Sequence, residues 1–390
     1  MDKKLNVIKE YTLYILFFFL PSWRLIQNIT LVLLLLLPPY NLKLKNKFLI
    51  GTPLFFLFYL ILNALFQGKI NIEISNITKL LPLVLLPIAF EKVSFDKIIN
   101  ALFVLLIGTL VMQLMSIYGI ISYLTSDGIK YELTNYGKLN DVLGFERPYI
   151  GYFSAINILI SYIFLKRRRH WFFIITGLIS ITLIIYLSTR LAALISGIFI
   201  LFFLWKELKN FKLKLVILGS FFTFIILALV TFNSSLKKRF SLIKKDPRTI
   251  IWKGSIKQII DTKSYMFGNA SLKETRSNQL QYYREYDQFG NSDIKDRFIK
   301  RNYNTHNQFL NELVRGGILG LILFLIPIFM SFILNLKSKN YINILLILSV
   351  TMFLIVENLL ARQIGIYILS IILAITIFNH KISYFDIKQN

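Results

Sequence analysis

The stretch ILGLILFLIPIFMSFILNL, residues 318–336, runs for nineteen residues without a charge. About 20 mostly apolar residues in helical form cross the roughly 30 Å hydrocarbon layer of a bilayer. Outward from it, comparable apolar runs occupy residues 11–20, 25–37, 48–66, 77–90, 98–124, 149–165, 171–187, 191–205, 213–232, 342–359 and 364–377. The 390 residues are 55% hydrophobic and 17% charged, with a mean hydropathy of +0.61. A soluble globule of this size needs more charge to cover its surface. The expected fold class is an all-α polytopic membrane protein of about twelve transmembrane helices. A large extracytoplasmic, mostly helical loop is expected before the last three spans. Residues 1–232 form an N-terminal bundle of nine spans, residues 233–317 the loop, and residues 318–390 three further spans and a cytoplasmic tail. The first two runs are short and flank Pro21 and Arg24, which suits a helical hairpin or one broken helix.

Lys and Arg total 45 against 20 Asp and Glu, a net charge of +25. The excess collects in alternate short connections: Lys3, Lys4 and Lys9; Lys43, Lys45 and Lys47; Lys92 and Lys97; the run from Lys166 to Arg169; Lys206, Lys209, Lys212 and Lys214; Lys337 and Lys339; Lys381. Twelve spans put all of these on one face, which the positive-inside rule makes cytoplasmic, with both termini inside. Basic residues so placed anchor topology, and no aromatic-interleaved basic surface points to nucleic acid. The chain has no cysteine, which removes disulfides and thiolate chemistry, and three His, too few for a His-rich metal centre. The loop at 233–317 holds Trp252, Tyr265, Phe267, Tyr282, Tyr283, Tyr286 and Tyr303, too aromatic for disorder. A small folded cap is expected there.

Four stretches on the outer side carry candidate chemistry. In Tyr303-Asn-Thr-His-Asn-Gln, Thr305 and Gln308 have the spacing of a capping box, which predicts a helix starting near His306. Phe309, Leu310, Leu313 and Val314 then form an apolar stripe, and Gly316-Gly317 end or kink the helix before the next span. His306 in the first turn suits a general base, while spacing alone favours its reading as a surface histidine. In Tyr186-Leu-Ser-Thr-Arg-Leu-Ala-Ala, Arg190 stands at the outer turn between two apolar helices, as an anion clamp or a snorkelling Arg. In Asp246-Pro-Arg-Thr-Ile-Ile-Trp, Arg248 begins an amphipathic helix expected to return along the membrane, with Ile250, Ile251, Ile256, Ile259 and Ile260 on its apolar side. Arg147 marks the fourth boundary, in Arg-Pro-Tyr-Ile-Gly-Tyr. A guanidinium fork grips phosphate oxygens bidentately, so Arg at helix ends near the bilayer surface suits a lipid diphosphate. Gln113 and Glu357 read as isolated polar residues within otherwise charge-free spans.

The order of Ser188-Thr189-Arg190, Arg248 with Trp252 four positions later, Gly268, and His306-Asn307 with Leu310, Leu313, Gly317 and Gly320 resembles the bacterial O-antigen ligase and O-antigen polymerase family. The resemblance covers residues 149–336 best, and the large loop before the last three spans matches. It implies a metal-independent glycosyltransferase without a cofactor, in the bacterial inner membrane. Its donor would be a glycan on undecaprenyl diphosphate and its acceptor a glycan or lipid such as lipid A-core, at the outer membrane face. On this resemblance His306 is catalytic and Arg190 and Arg248 hold the diphosphate, with Arg147, Asn307 and Trp252 as possible substrate contacts. A polymerase shares the donor and differs in acceptor. A flippase or other transporter would need ionisable groups deep in the spans, which are nearly charge-free.

Overall fold

The computed structural model describes residues 2–37, 47–91, 93–126, 136–209, 247–286, 289, 292–379 and 384. Among these, every regular element is helical. In chain order the helices are α1 (Asp2–Phe19), α2 (Arg24–Leu36), α3 (Lys47–Phe66), α4 (Ile70–Thr78), α5 (Pro82–Phe90), α6 (Phe95–Ser126), α7 (Tyr136–Leu143), α8 (Arg147–Arg168), α9 (Phe172–Tyr186) and α10 (Arg190–Glu207). After these come α11 (Pro247–Thr262), α12 (Leu272–Glu285), α13 (Ser292–Arg301), α14 (Gln308–Lys337), α15 (Tyr341–Val356) and α16 (Gln363–Phe378).

Four segments are long and apolar enough to cross a membrane: Ile70–Phe90, Phe95–Tyr123, Arg147–Arg168 and Gln308–Lys337. Shorter apolar helices include α2, α9, α15 and α16. The run at 213–232 and the first part of the loop, 233–246, lie outside the described residues. The two N-terminal runs form a hairpin: α1 packs on α2, and Gln27 Nε2 donates to the Leu20 carbonyl across the Pro21 turn at 2.9 Å. The run expected as one span at 77–90 is instead a broken helix that starts earlier, at Ile70, and is interrupted between α4 and α5 just before Pro82. Pro82 has no N–H to continue the ladder from α4.

Helices α8 and α16 are nearly enclosed by their neighbours, whereas α3, α9 and α14 keep exposed apolar flanks such as Phe55, Phe58, Leu178 and Phe329. Inside the bundle, polar side chains pair across helices. Gln113 of α6 donates to Ser154 of α8 and Ser180 of α9, both at 2.9 Å, and Asn157 Nδ2 reaches the same Ser180 hydroxyl at 3.0 Å. Gln113 is therefore not isolated: its partners lie 41 and 67 residues away, beyond any local pattern. In an apolar surrounding such bonds have no water to compete with and fix which helix faces which.

The bundle has two chemically different ends. At one, the basic C-terminus of α8 meets that of α10 through Lys166 and Glu207, and Lys97 at the start of α6 pairs with Glu10 of α1 at 3.1 Å. At the other stand the N-termini of α8 and α10. A second, small hydrophobic core (Ile250, Ile251, Tyr283, Phe289, Phe298) holds the polar segment after residue 247 together as a folded unit of its own. In α11, Ile250 and Ile251 belong to this core and Ile259 is also buried, while Ile256 and Ile260 remain exposed.

That unit is bolted to the bundle through backbone. Asn269 and Ala270 donate their N–H groups to the carbonyls of Val314 and Arg315, and Ile318 donates to Tyr265, each at 2.8 Å. The C-terminal part of α3 grips the same loop: Asn63, Gln67 and Lys69 donate to the carbonyls of Phe267, Gly268 and Asn269. Strand-like contact this close needs glycine on both sides. Gly317 adopts φ 65°, ψ −165°, and a Cβ there would lie 2.2 Å from the Met266 carbonyl oxygen. The expected kink at Gly316-Gly317 is thus present, and it divides α14 into two helical parts at Gly317.

Candidate active site

The His306 loop sits where three units meet. The sequence spacing places His306 in the first helical turn, but α14 starts two residues later, at Gln308. Asn307 is the N-cap, its Oδ1 accepting from the Leu310 N–H at 3.0 Å. Thr305 is diverted to another partner, since Asn358 Nδ2 donates to its hydroxyl at 2.8 Å. His306 is left outside the helix in a left-handed conformation, φ 44°. Such backbone is costly for a residue with a Cβ and persists only where surrounding contacts dictate it.

Those contacts can be named. Tyr283 Oη donates to the Tyr303 carbonyl at 3.2 Å, and Trp252 Nε1 donates to the Thr305 carbonyl at 2.9 Å. The Asn307 N–H donates to Asn358 Oδ1 at 2.8 Å, and the His306 N–H donates to Asn304 Oδ1 at 3.2 Å. The loop is therefore clamped from the cap by Trp252 and Tyr283 and from the bundle by Asn358. The residue before Asn358 is Glu357, whose Oε2 lies 3.6 Å from His306 Nδ1. Glu357 is not isolated, contrary to its reading from sequence. A carboxylate beside Nδ1 turns Nε2 outward, an arrangement in which one ring nitrogen is oriented while the other is free to act.

The face of α14 below this loop also differs from expectation. Gln308, Asn311, Glu312 and Arg315 share the buried side with Val314, while Phe309, Leu310 and Leu313 of the expected apolar stripe are only half-buried. In lipid the usual preference inverts, because polar groups must find protein partners and apolar ones need not. Arg315 pairs with Glu73 of α4 at 3.3 Å, both almost wholly buried. Glu73 Oε1 also accepts from the Leu272 N–H at 2.8 Å and the Ser271 hydroxyl at 3.1 Å, tying the start of α12 to the bundle.

The Arg residues gather at the same end. Arg248 lies one turn before Trp252 on α11, and residues four apart share a helix face, so it stands on the side pinned to the His306 loop. Arg190 is the first residue of α10. It follows Ser188, which is left-handed at φ 50°, and Thr189, which packs against Gly151 so closely that a Cβ on that glycine would lie 2.7 Å from Thr189 Oγ1. Gly151 is one turn into α8. Tyr149 and Tyr152 of α8 meet Phe353 of α15, with ring centroids 5.4 and 4.5 Å apart, and Glu357 follows Phe353 by one turn. A continuous path of contacts thus leads from Arg190 through α8 and α15 to His306. Arg147 is at the first position of α8, where its N–H donates to Asn140 Oδ1 at 3.1 Å.

Sequence reasoning missed the acids of this region. Glu146 bridges Arg362 at 2.9 Å and Arg24 at 3.6 Å, so two further guanidinium groups stand at the same end, already neutralised. A signal for Glu357 was available: an acid closing an apolar run at a membrane boundary is itself a mark of function. A cavity of about 640 Å³ lies on the other side of the 302–305 loop, between α12, α14 and the end of α4.

Residues 175–325 match the family model described as O-antigen ligase. The match runs from α9 to the middle of α14 and includes Arg190, Arg248, Trp252, Gly268, His306, Asn307, Gly317 and Gly320, while Arg147 and Glu357 fall outside it. Comparison with curated proteins gives no match.

Proposed function

From the premise that this chain belongs to the O-antigen ligase family through residues 175–325, we propose that it transfers a glycan from undecaprenyl diphosphate to an acceptor at the outer face of the bacterial inner membrane. The observation that carries this reading is His306, held in a left-handed conformation by Trp252 and Asn358 and paired with Glu357 through Nδ1. In the reaction the acceptor hydroxyl oxygen bonds to the anomeric carbon of the donor sugar. The bond from that carbon to the diphosphate oxygen breaks, and the proton of the hydroxyl passes to His306 Nε2. Glu357 orients the ring and supports the imidazolium formed. Arg190 and Arg248 hold the diphosphate, where negative charge develops as it leaves. Trp252 acts through the Thr305 carbonyl as a positioning residue. Asn307 serves as the helix cap, and Arg147 lies at the margin of the site.

A ligase and a polymerase use this donor chemistry alike and differ in acceptor. The test is transfer in vitro by the purified full chain, from lipid-linked glycan to lipid A-core in one arm and to a second lipid-linked repeat in the other, each with and without chelator. Transfer to lipid A-core in the presence of chelator is the expected result. Transfer only to the second repeat makes the chain a polymerase, loss with chelator overturns metal independence, and no transfer in either arm overturns the reading.

A further inference from the structure

The cavity beside the His306 loop is built from side chains that the transfer chemistry does not use. Its floor is polar and deeply buried: Glu312 and Arg315 of α14 and Gln279 of α12 are each at most 3% exposed. Two acceptor oxygens in the lining, Glu312 Oε2 and Asn302 Oδ1, are buried without a hydrogen-bond partner among the described residues. The other carboxyl oxygen of Glu312 is engaged, accepting from Gln308 Nε2 at 2.6 Å and Asn311 Nδ2 at 3.2 Å. Buried acceptors left open in this way call for a ligand that donates hydrogen bonds.

The rim has the opposite character. Lys79, Lys273 and Arg276 line the mouth, are exposed, and form no ion pair among the described residues. The neighbouring acid on α12, Glu274, is turned away to Lys69 of the bundle. A ligand that suits both zones carries hydroxyl groups toward the floor and negative charge toward the mouth. Amides and hydroxyls stand between them, with Asn304, Thr305 and Asn358 on the wall shared with the His306 loop. These groups both donate and accept, as recognition of sugar hydroxyls requires. About 640 Å³ lies within the usual range of pockets for small organic ligands.

We propose that this cavity binds an acidic oligosaccharide, seating its hydroxyls on Glu312 and Asn302 and its anionic groups on Lys79, Lys273 and Arg276. The proposal rests on the glycan-transfer reading and adds the class of sugar that this chain handles. The wall includes Thr305 and Asn358, the chain neighbours of His306 and Glu357, whose own side chains do not line the cavity. The chemistry of the cavity is the same for a donor and an acceptor sugar, and the transfer assay distinguishes them.

The test uses the purified full chain in nanodiscs and two probes, trigalacturonate and the neutral galactose trimer made by reducing its carboxyl groups. The expected result is binding of trigalacturonate about tenfold more tightly than the neutral trimer, with that preference removed by K273Q/R276Q, as expected for charge-assisted contacts. Both substitutions are at exposed positions, so folding is preserved, and a thermal melt equal to wild type checks it. Equal affinity for the two trimers, binding of neither, or an undiminished preference in the double variant overturns the proposal. In the transfer assay, a rise of KM for the acceptor alone or for the donor alone in K273Q/R276Q identifies which substrate occupies the cavity. Binding without transfer would remove the glycosyltransferase reading and leave the cavity assignment, while transfer without trimer binding would do the reverse.

Discussion

At His306 the chain tolerates an unfavourable backbone to set one ring. The contacts around it come from two distant parts of the chain, Trp252 and the adjacent pair Glu357-Asn358, so its role separates experimentally from theirs. Replacing His306 with Ala should lower kcat by about 10²–10⁴-fold, the range for a positioned base, with insertion and donor binding intact. His306→Gln can orient a hydroxyl but cannot take its proton, so recovery of most of the rate in that variant would reduce His306 to a positioning residue. Glu357→Gln should lower kcat by about 10–10²-fold and do little in a chain that already carries His306→Ala, because the two act as a unit. Independent, multiplicative losses would separate Glu357 from the mechanism. Arg190→Lys and Arg248→Lys keep the charge and lose the planar fork. Each should reduce donor affinity or rate by about one to two orders of magnitude, and wild-type kinetics would remove that residue from the diphosphate site.

At the scale of elements, the junction between cap and bundle depends on two kinds of contact that a single side chain can break. Gly317 occupies backbone space reached essentially by glycine alone, and a Cβ would strike the Met266 carbonyl. Gly317→Ala should therefore destabilise by more than the roughly 1–3 kcal/mol of backbone strain, read as a lower melting temperature in detergent. An unchanged melt would mean that the 264–270 loop does not dock as described. The Glu73–Arg315 pair offers a second test. Removing one partner of a buried pair costs about 3–5 kcal/mol, whereas replacing both with apolar residues of similar size is often neutral. Glu73→Leu alone should lower the melting temperature strongly, and Glu73→Leu with Arg315→Met should recover most of the loss. No recovery would show that Glu73 matters through Ser271 and Leu272 instead.

For the whole molecule, the decisive property is that its two ends differ in charge and in chemistry. The Lys166–Arg169 run is at one end of α8, and Glu146 and Arg147, with the site beyond them, are at the other. From the positive-inside rule we expect the basic end in the cytoplasm and the cap outside. The chain has no cysteine, so Asn278→Cys on α12 introduces a single reactive thiol. An impermeant maleimide should label it in intact spheroplasts. Labelling only after lysis would invert the topology and place the site on the wrong face for an outer-leaflet donor.

Composition and hydropathy by themselves determined that lipid is the main solvent, that the elements are helices, and where most of them lie. Those properties depend on length and on local side-chain chemistry, which are written along the chain. The motif residues Arg190, Arg248, Trp252, His306, Gly268 and Gly317 were also legible, because short functional patterns are local. What only the tertiary structure decided is how distant residues pair. Glu357 lies 51 residues from His306, and Glu73 lies 242 from Arg315. Asn358 outcompeted the capping pattern at Thr305 and moved the start of α14 past His306. A cap fixes a helix start only when its side chain has no better partner, and that partner is supplied by packing. Contacts with Glu73 and Leu360 also draw Arg315 and Gln308 of α14 inward beside Val314, which the apolar stripe alone does not indicate.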